Sequence, residues 1–494
     1  MPHAILQSLY RLGETVAGSE KEKIAVEELR ARLEPLCDEV RVEYVPVTVW
    51  SERHCVVEAG GKIVECSAHP PTPSIDIEAK IVKVGIDDVF RKRVDAEDKL
   101  VVVEGVEDPD DVAEATSILS DLGALGVVFV DPLEALRRVV VYSEAVPCYR
   151  SPKRRAVPAV HVPRSVSPLL ETGNKARILV EADKRKGFGM NVVGDIHGSR
   201  ERLVYLSAHH DHWFWGCIDN LVGVAMVLDV ARELQRLRLR KSLRIAFFSA
   251  EEGLPESETP FYWAVGSRMH VVNNWRDVGE RIEIMINIDV PYGSLKLAAT
   301  GLEAVGLAKY LGIDVDPYGF IYDTFPFSAL GVPTLTIENF EATLEDGIYH
   351  STLDDLNRVS TSSYARGVSL ARQVLKIVDG IDVERFASLG LLEVSKQLIN
   401  RGALPSIAVK GVQRCLERVG LRREVLRVVN SAVFGYAIDK NFLTKPGVRE
   451  LSGVVPWNPG TIEVPTGMRI DGWRRAYEKT LSILNTLYYV CRGS

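Results

Sequence analysis

The chain has 494 residues, too many for one ordinary hydrophobic core, so its length predicts two or three domains of roughly 100–200 residues each. Hydrophobic residues make up 46% of the chain and charged residues 26%, a composition that excludes disordered, collagen-like and disulfide-framework proteins. The net charge of −7 argues against a nucleic-acid partner, because neutralising phosphates requires a basic surface.

The sequence lacks two kinds of segment that would indicate a membrane or secreted location. No apolar run approaches the roughly 20 residues of a membrane span, and the first residues lack the basic and apolar regions of a secretory signal. We therefore expect a cytoplasmic protein without a membrane partner. The seven cysteines have no CxxC spacing, which indicates reduced thiols.

The first 187 residues contain two different sequence patterns, one after the other. A capping serine and apolar residues at helical spacing predict a helix over 19–33, followed by a strand over 39–45. Residues 50–187 then carry short β-branched runs and one helical stretch, which predicts a separate β-rich domain; its strands are expected at 79–84, 99–104 and 126–130 and its helix at 111–122. The charged segment 182–189 is expected to be a solvated turn that links this domain to the next.

From residue 190 to about 379, predicted strands and helices alternate, which is typical of a mixed, mostly parallel sheet flanked by helices. We expect strands at 203–207, 243–249, 282–288 and 334–337, and helices at 221–237 and 362–378. Beyond residue 380 the pattern is mainly helical, with helices expected at 383–400, 406–419 and 472–490. The fold class is therefore α/β with an inserted β-rich domain and a helical C-terminal domain.

Polar residues follow the predicted strands at the edge where open α/β sheets bind ligands. Taken singly, each has an ordinary structural explanation, such as a helix cap or a solvated turn. Together they place imidazoles and carboxylates at one edge, where the carboxylates would repel each other unless cations lay among them. The joint pattern predicts a metal site.

The same residues resemble the motifs of the dinuclear zinc exopeptidase family that includes leucyl-type aminopeptidases, glutamate carboxypeptidase and the transferrin receptor. Five motifs occur in the family's order: His209-His210-Asp211, Asp219-Asn220-Leu221-Val222-Gly223, Glu251-Glu252, Asn287-Ile288-Asp289 and Tyr349-His350-Ser351-Thr352-Leu353-Asp354. The resemblance implies two zinc ions per chain, for which Co²⁺ or Mn²⁺ could substitute.

The resemblance also implies how the metals are held. Asp219 would bridge the two ions, with His209 and Asp289 completing one site and Glu252 and His350 completing the other. Each ion would keep an open position for water or substrate.

Four further residues receive supporting roles from the same resemblance. Glu251 would be the general base, and Tyr349 would donate its phenol to the tetrahedral oxyanion, although a packed aromatic remains the alternative for Tyr349. Asp211 would hold the far nitrogen of His209, and Asp354 would do the same near His350.

Aromatic residues near these motifs are candidates for a substrate pocket. Trp213, Trp215 and Phe261 could wall an apolar pocket over the metals, with His212 as a substrate contact. A hydrophobic plug packed on the inserted domain is the alternative. The family's usual histidine before a Pro-Phe pair is replaced here by Thr324, so a substrate contact at that position would differ.

Across the whole chain, the resemblance implies three parts. Residues 1–48 and 188–380 would form the catalytic domain, residues 49–187 an inserted domain similar to a protease-associated domain, and residues 381–494 a mainly helical domain that serves as a lid or in a homodimer.

The leading functional hypothesis is an aminopeptidase acting on peptides. A glutamate carboxypeptidase-like enzyme or another amide hydrolase is the alternative within the same chemistry. A catalytically silent scaffold similar to the transferrin receptor is the alternative of another class, and the retained ligands and base argue against it.

Overall fold

The fold is taken from a computed structural model. It describes residues 4–400 except 107–108, 142–156, 236, 238, 257–261, 314, 317–321 and 329, together with residues 422, 423, 426, 427 and 430. The helices expected at 406–419 and 472–490 lie outside the described residues, as does Phe261.

Within the described part of the chain, fourteen strands form one continuous mixed sheet. Their bounds are β1 (Glu39–Ala59), β2 (Lys62–Glu65), β3 (Ser67–Ala68), β4 (Ile75–Gly85), β5 (Leu100–Glu104), β6 (Gly126–Val130), β7 (Ala159–Val162), β8 (Lys175–Ile196), β9 (Arg200–His209), β10 (Lys241–Phe248), β11 (Ile282–Ile288), β12 (Lys296–Thr300), β13 (Val315–Asp316) and β14 (Thr334–Glu338). The order across the sheet is β13-β12-β14-β11-β9-β10-β8-β4-β5-β6-β7-β3, with β1 paired to β8 and β2 to β1.

Twelve α-helices accompany the sheet among the described residues. They are α1 (Ala4–Tyr10), α2 (Glu20–Leu33), α3 (Ile86–Phe90), α4 (Pro109–Asp121), α5 (Val222–Leu234), α6 (Val265–Asn273), α7 (Trp275–Glu280), α8 (Leu302–Leu311), α9 (Phe325–Ser328), α10 (Phe340–Glu345), α11 (Thr361–Gly380) and α12 (Ala387–Asn400). None of these helices is both long enough and apolar enough to span a bilayer.

Four parallel strands form the centre that carries the site. β10, β9, β11 and β14 lie side by side in parallel, and β10, β11 and β14 are buried along their whole length. Apolar helix α5 packs on one face of these strands, in the largest of the hydrophobic clusters. Because the strands are parallel, their carboxyl ends meet at one edge of the sheet.

The two longest strands, β1 and β8, connect this centre to the inserted part. They pair in antiparallel fashion almost throughout, so the expected domain boundaries near residues 48 and 187 fall inside continuous strands. The prediction of a solvated turn at 182–189 is wrong. Those residues lie within β8 and pair with β1, although most of their side chains face solvent.

The inserted part contributes a small parallel section of this sheet, β4-β5-β6-β7. Separate hydrophobic clusters pack on its two faces. The prediction of a β-rich insert with one main helix, α4, therefore agrees with the structure of this segment. Its likeness to a protease-associated domain stays a prediction.

Two of the cysteines depart from expectation. Cys55 on β1 and Cys66 are joined in a disulfide, so the prediction of reduced thiols is wrong for this pair. Cys37 and Cys217 are free. The spacing rule failed because a pair that closes a single short hairpin leaves no characteristic CxxC signature.

Candidate metal centre

The predicted ligands converge at the carboxyl edge of the central strands. His209 is the last residue of β9, and Asp289 directly follows β11. Glu252 lies in the loop after β10, and Asp219 lies in the distorted turn before α5. His350 comes from the loop after α10. All five side chains are buried.

One carboxylate joins two clusters of donor atoms. Asp219 Oδ1 lies 3.2 Å from His209 Nε2, and Asp289 Oδ1 lies 3.2 Å from the same nitrogen. On the other side, Asp219 Oδ2 lies 3.5 Å from His350 Nε2, and Glu252 Oε2 lies 2.7 Å from that nitrogen. Within each three-residue cluster the donor atoms all lie within 4.8 Å of one another. Each cluster could therefore hold one metal ion, with Asp219 common to both.

Buried negative charge dominates the electrostatics of the site. Burial raises the pKa of Glu251 well above its usual range, and nearby Asp289 raises it further while His209 lowers it. Burial also raises the pKa of Asp289, which His209 lowers and Asp219 raises. Carboxylates crowded in this way are stabilised by positive charge between them, which fits a pair of divalent cations.

Asp211 supports the site through main-chain groups. Its carboxylate accepts hydrogen bonds from the N–H groups of Glu251 (3.1 Å) and Glu252 (3.3 Å). The oxygen next to His209 Nδ1 is the Asp211 carbonyl at 2.9 Å, whereas the carboxylate is 3.9 Å away. The expected carboxylate contact to His209 is therefore replaced by a carbonyl contact, and the carboxylate orients the Glu251–Glu252 loop.

Asp354 also holds main chain. Its two carboxylate oxygens accept hydrogen bonds from the N–H groups of Ile218 (2.6 Å) and Asp219 (3.0 Å). The prediction that Asp354 orients His350 is wrong: Asp354 fixes the backbone of Asp219. His350 Nδ1 has no hydrogen-bond partner among the described residues.

Tyr349 stacks on the ring of the neighbouring His350, with ring centroids 3.7 Å apart, and meets Phe340 edge-on. Burial raises the pKa of its phenol well above the usual value, and Glu252 and Asp219 raise it further. The hydroxyl therefore stays protonated near the clusters and is able to donate a hydrogen bond.

The expected aromatic pocket is only partly open. Trp213 is 3% exposed and packs edge-on against Trp50 of β1, so it forms part of the plug between the two parts of the chain. His212 is also buried, between the carbonyls of His210 and Gly13 (both 3.2 Å). Neither can touch a substrate in this arrangement. Trp215 is 42% exposed and stacks on Tyr10.

Residues 191–375 match the sequence profile of Peptidase family M28. This segment is a peptidase family M28 domain. The match confirms the resemblance inferred from the five motifs.

Two solved structures share the fold of the M28 domain and its surroundings. One is a peptidase M28 precursor from Shewanella amazonensis SB2B, 19% identical, with 76% of this chain and 92% of that chain covered at a TM-score of 0.63. The other is a zinc aminopeptidase from Bacillus subtilis, 18% identical, with 76% and 93% covered at a TM-score of 0.60. They confirm the predicted α/β fold class.

A curated relative matches over a shorter stretch. A probable glutamate carboxypeptidase of Arabidopsis thaliana is 29% identical over 106 residues, which cover 20% of this chain. The match spans only 14% of that relative's length.

Asp323 is a site residue of the M28 domain that sequence reasoning did not assign. It is fully buried, and burial raises its pKa to about 7, with His209 and Ser267 lowering it and Asp289 raising it. It therefore adds another carboxyl group beside the clusters. The sequence signal for Asp323 is its position directly before Thr324, which replaces the family's usual histidine ahead of the Pro-Phe pair.

Proposed function

We propose that this chain is a dinuclear zinc exopeptidase of the aminopeptidase type. The observation that carries the proposal is the position of Asp219, whose two oxygens face His209 and His350 separately. A bridging carboxylate between two clusters, each with one imidazole and one further carboxylate, is a donor set suited to two divalent ions.

The donor chemistry supports zinc. Imidazole nitrogen and carboxylate oxygen are common zinc ligands, and three protein donors leave a further position open, as in catalytic sites. The cysteines offer no competing site among the described residues, because neither metal cluster includes one. Bound zinc would acidify a water molecule and polarise the scissile carbonyl.

Glu251 is the general base in this proposal. It precedes the ligand Glu252 but belongs to neither donor cluster, so its carboxylate remains available for proton transfer. Its raised pKa suits a group that takes a proton from the attacking water and delivers it to the leaving amine. The Tyr349 hydroxyl then donates a hydrogen bond to the oxyanion that develops on the substrate.

The charge around the site favours an amino terminus over a carboxyl terminus. Three carboxyl groups lie near the bridging ligand, Glu251, Asp289 and Asp323; Asp289 raises the pKa of both of the others, and Asp323 raises the pKa of Glu251. The positive neighbour that acts on both Glu251 and Asp323 is the imidazole of His209. A substrate ammonium group complements this surround, whereas a terminal carboxylate would need a cation to pair with.

The carboxypeptidase alternative has one observation in its favour, the segment shared with the Arabidopsis relative. A substrate screen separates the two activities. Aminoacyl amides, N-acetylated aminoacyl amides and peptides with acidic C-terminal residues are incubated with the protein, with chelator and with chelator followed by excess zinc. We expect hydrolysis of the free-amine substrates only, lost with chelator and restored by zinc.

Each other outcome rejects part of the proposal. Cleavage at an acidic C-terminus of an N-acetylated peptide would establish the carboxypeptidase. Full occupancy by two zinc ions without hydrolysis of any substrate would favour the silent scaffold. A protein that binds no zinc would refute the metallopeptidase itself.

A further inference from the structure

A segment of the inserted part lies directly against the loop that carries His350. We call residues 131–141 the strap. The N–H of Arg138 donates to the carbonyl of His350 at 2.9 Å, and the N–H of Thr352 donates to the carbonyl of Leu136 at 2.9 Å. Leu136 N–H in turn donates to the Thr352 hydroxyl at 3.1 Å. The strap therefore forms hydrogen bonds with the polypeptide at His350 and, two residues later, at Thr352.

Arg137 binds the main chain on the N-terminal side of His350. Its guanidinium donates to the carbonyl of Tyr349 and to the carbonyl of Gly347 at 3.2 Å, while its Nε donates to Asp131 at 3.1 Å. The side chain is 7% exposed. A planar guanidinium that binds two carbonyls and a carboxylate at once fixes their relative positions more closely than a point charge would.

A buried chain of side chains anchors Arg137 within the insert. Asp131 on the far side accepts a second contact, from His161 Nε2 at 3.0 Å. His161 Nδ1 lies 3.3 Å from His69 Nε2, and His69 Nδ1 accepts from the N–H of Val139 at 3.0 Å. This series of hydrogen-bonded side chains begins in the strap at Asp131 and returns to the strap at Val139. The partner of the Arg137 guanidinium is therefore itself held in place.

The loop needs such external support for two reasons. His350 has φ 52°, a left-handed conformation that a non-glycine residue keeps only when its surroundings enforce it. Metal-binding histidines are usually oriented by a hydrogen bond from their second ring nitrogen, yet His350 Nδ1 has no such partner among the described residues. Apart from the stacked Tyr349 and the contact of Nε2 with Glu252, the position of its ring therefore depends on the backbone that Arg137 and Arg138 hold.

We propose that Arg137 is a positioning residue for His350, so that ion binding at the Asp219–Glu252–His350 cluster depends on the inserted segment. The inference rests on the proposed function for the identity of the cluster as a metal site. Among the described residues no hydrogen bond or ion pair joins the strap to the His209 cluster, whose members lie at the end of β9 (His209), directly after β11 (Asp289) and in the turn before α5 (Asp219). Arg137 thus acts on one ion and leaves the other in place.

The test measures zinc binding rather than turnover. Purified full-length Arg137→Met and wild-type protein are titrated with chelators of graded strength, and the bound ions are counted by native mass spectrometry. We expect one of two ions to bind about 10- to 100-fold more weakly in the variant, with the second ion unchanged. Arg137→Lys, which keeps the charge but cannot bind both carbonyls, should fall between the two. Arg177→Gln removes a partly exposed arginine of the same insert and should match the wild type.

A thermodynamic cycle identifies which ion responds. In a His350→Ala background the second cluster is already disabled, so Arg137→Met should not weaken the remaining ion further. Equal weakening of the remaining ion in that background would show general destabilisation and would overturn the proposal, as would wild-type affinity for both ions in Arg137→Met. If Arg137→Met does not fold, Asp131→Asn is used instead, because this change weakens the hold on the Arg137 guanidinium without removing the guanidinium. The same changes in ion affinity then support or overturn the proposal. A wild-type protein without zinc would instead defeat the proposed function.

Discussion

Replacing Asp354 by asparagine tests which part of the site this carboxylate supports. The two oxygens of Asp354 accept from the N–H groups of Ile218 and Asp219, and an amide offers only one acceptor oxygen. One buried N–H group would then face the NH₂ of the new side chain. Leaving a buried donor without its charged acceptor costs about 1.5–3 kcal/mol, and the main chain of Asp219 would shift to reduce that cost.

Because Asp219 serves both clusters, the shift should weaken both ions, each by about 10- to 100-fold. Chelator titration with ion counting measures the two affinities, and urea unfolding of the chelated protein measures the loss in free energy of unfolding. Asp346→Asn changes an exposed acid in a nearby loop and is the matched control. Loss of a single ion would restore the sequence-based assignment of Asp354 to His350 and refute the structural one. Wild-type affinity for both ions would show that Asp219 is held without Asp354.

Three further predictions concern catalysis and stability. Glu251→Gln should lower kcat by about 10²- to 10⁴-fold without changing zinc content, whereas Glu256→Gln, on the exposed side of the same loop, should leave both unchanged; retained turnover in Glu251→Gln would remove Glu251 as the base. Gly390→Ala should reduce the free energy of unfolding by about 1–3 kcal/mol, because its Cβ would lie 1.8 Å from the Leu302 carbonyl between α12 and α8. Gly279→Ala on α7 meets nothing within 4 Å and should be neutral or slightly stabilising in urea unfolding, and similar losses in both would contradict the close-packing argument. Cys55→Ser/Cys66→Ser should cost about 2–3 kcal/mol, given a loop separation of 11 residues; dithiothreitol should destabilise the wild type by the same amount and leave the variant unaffected, so an equal effect on both would argue against this disulfide.

The buried part of the fold could be read from the sequence because its signal is strong. Strands β6 and β11 have the predicted bounds, 126–130 and 282–288, and every residue in them is buried. A buried strand in a parallel sheet appears as an uninterrupted apolar run. Residues 182–189 gave no such signal, since this stretch of β8 is mostly exposed and its stability comes from main-chain pairing with β1. Pairing partners more than a hundred residues apart cannot be read from local composition.

The residues of the site also divide into those with a strong local sequence signal and those without one. A metal site could be predicted from the sequence because polar residues follow apolar strands that parallel pairing brings to one edge, and the individual ligands and base could be named because their motifs resemble those of the zinc exopeptidase family. The residues that hold those ligands act mainly on main-chain groups. Every residue offers the same N–H and C=O, so no motif spacing reveals that Asp354 accepts from Asp219 or that Arg137 donates to Tyr349. The Arg137 contact joins residues 212 positions apart, across the whole junction between the insert and the M28 domain. A sequence motif can therefore identify the atoms that would bind the metals, whereas the relative position of the two clusters depends on contacts that only the folded chain creates.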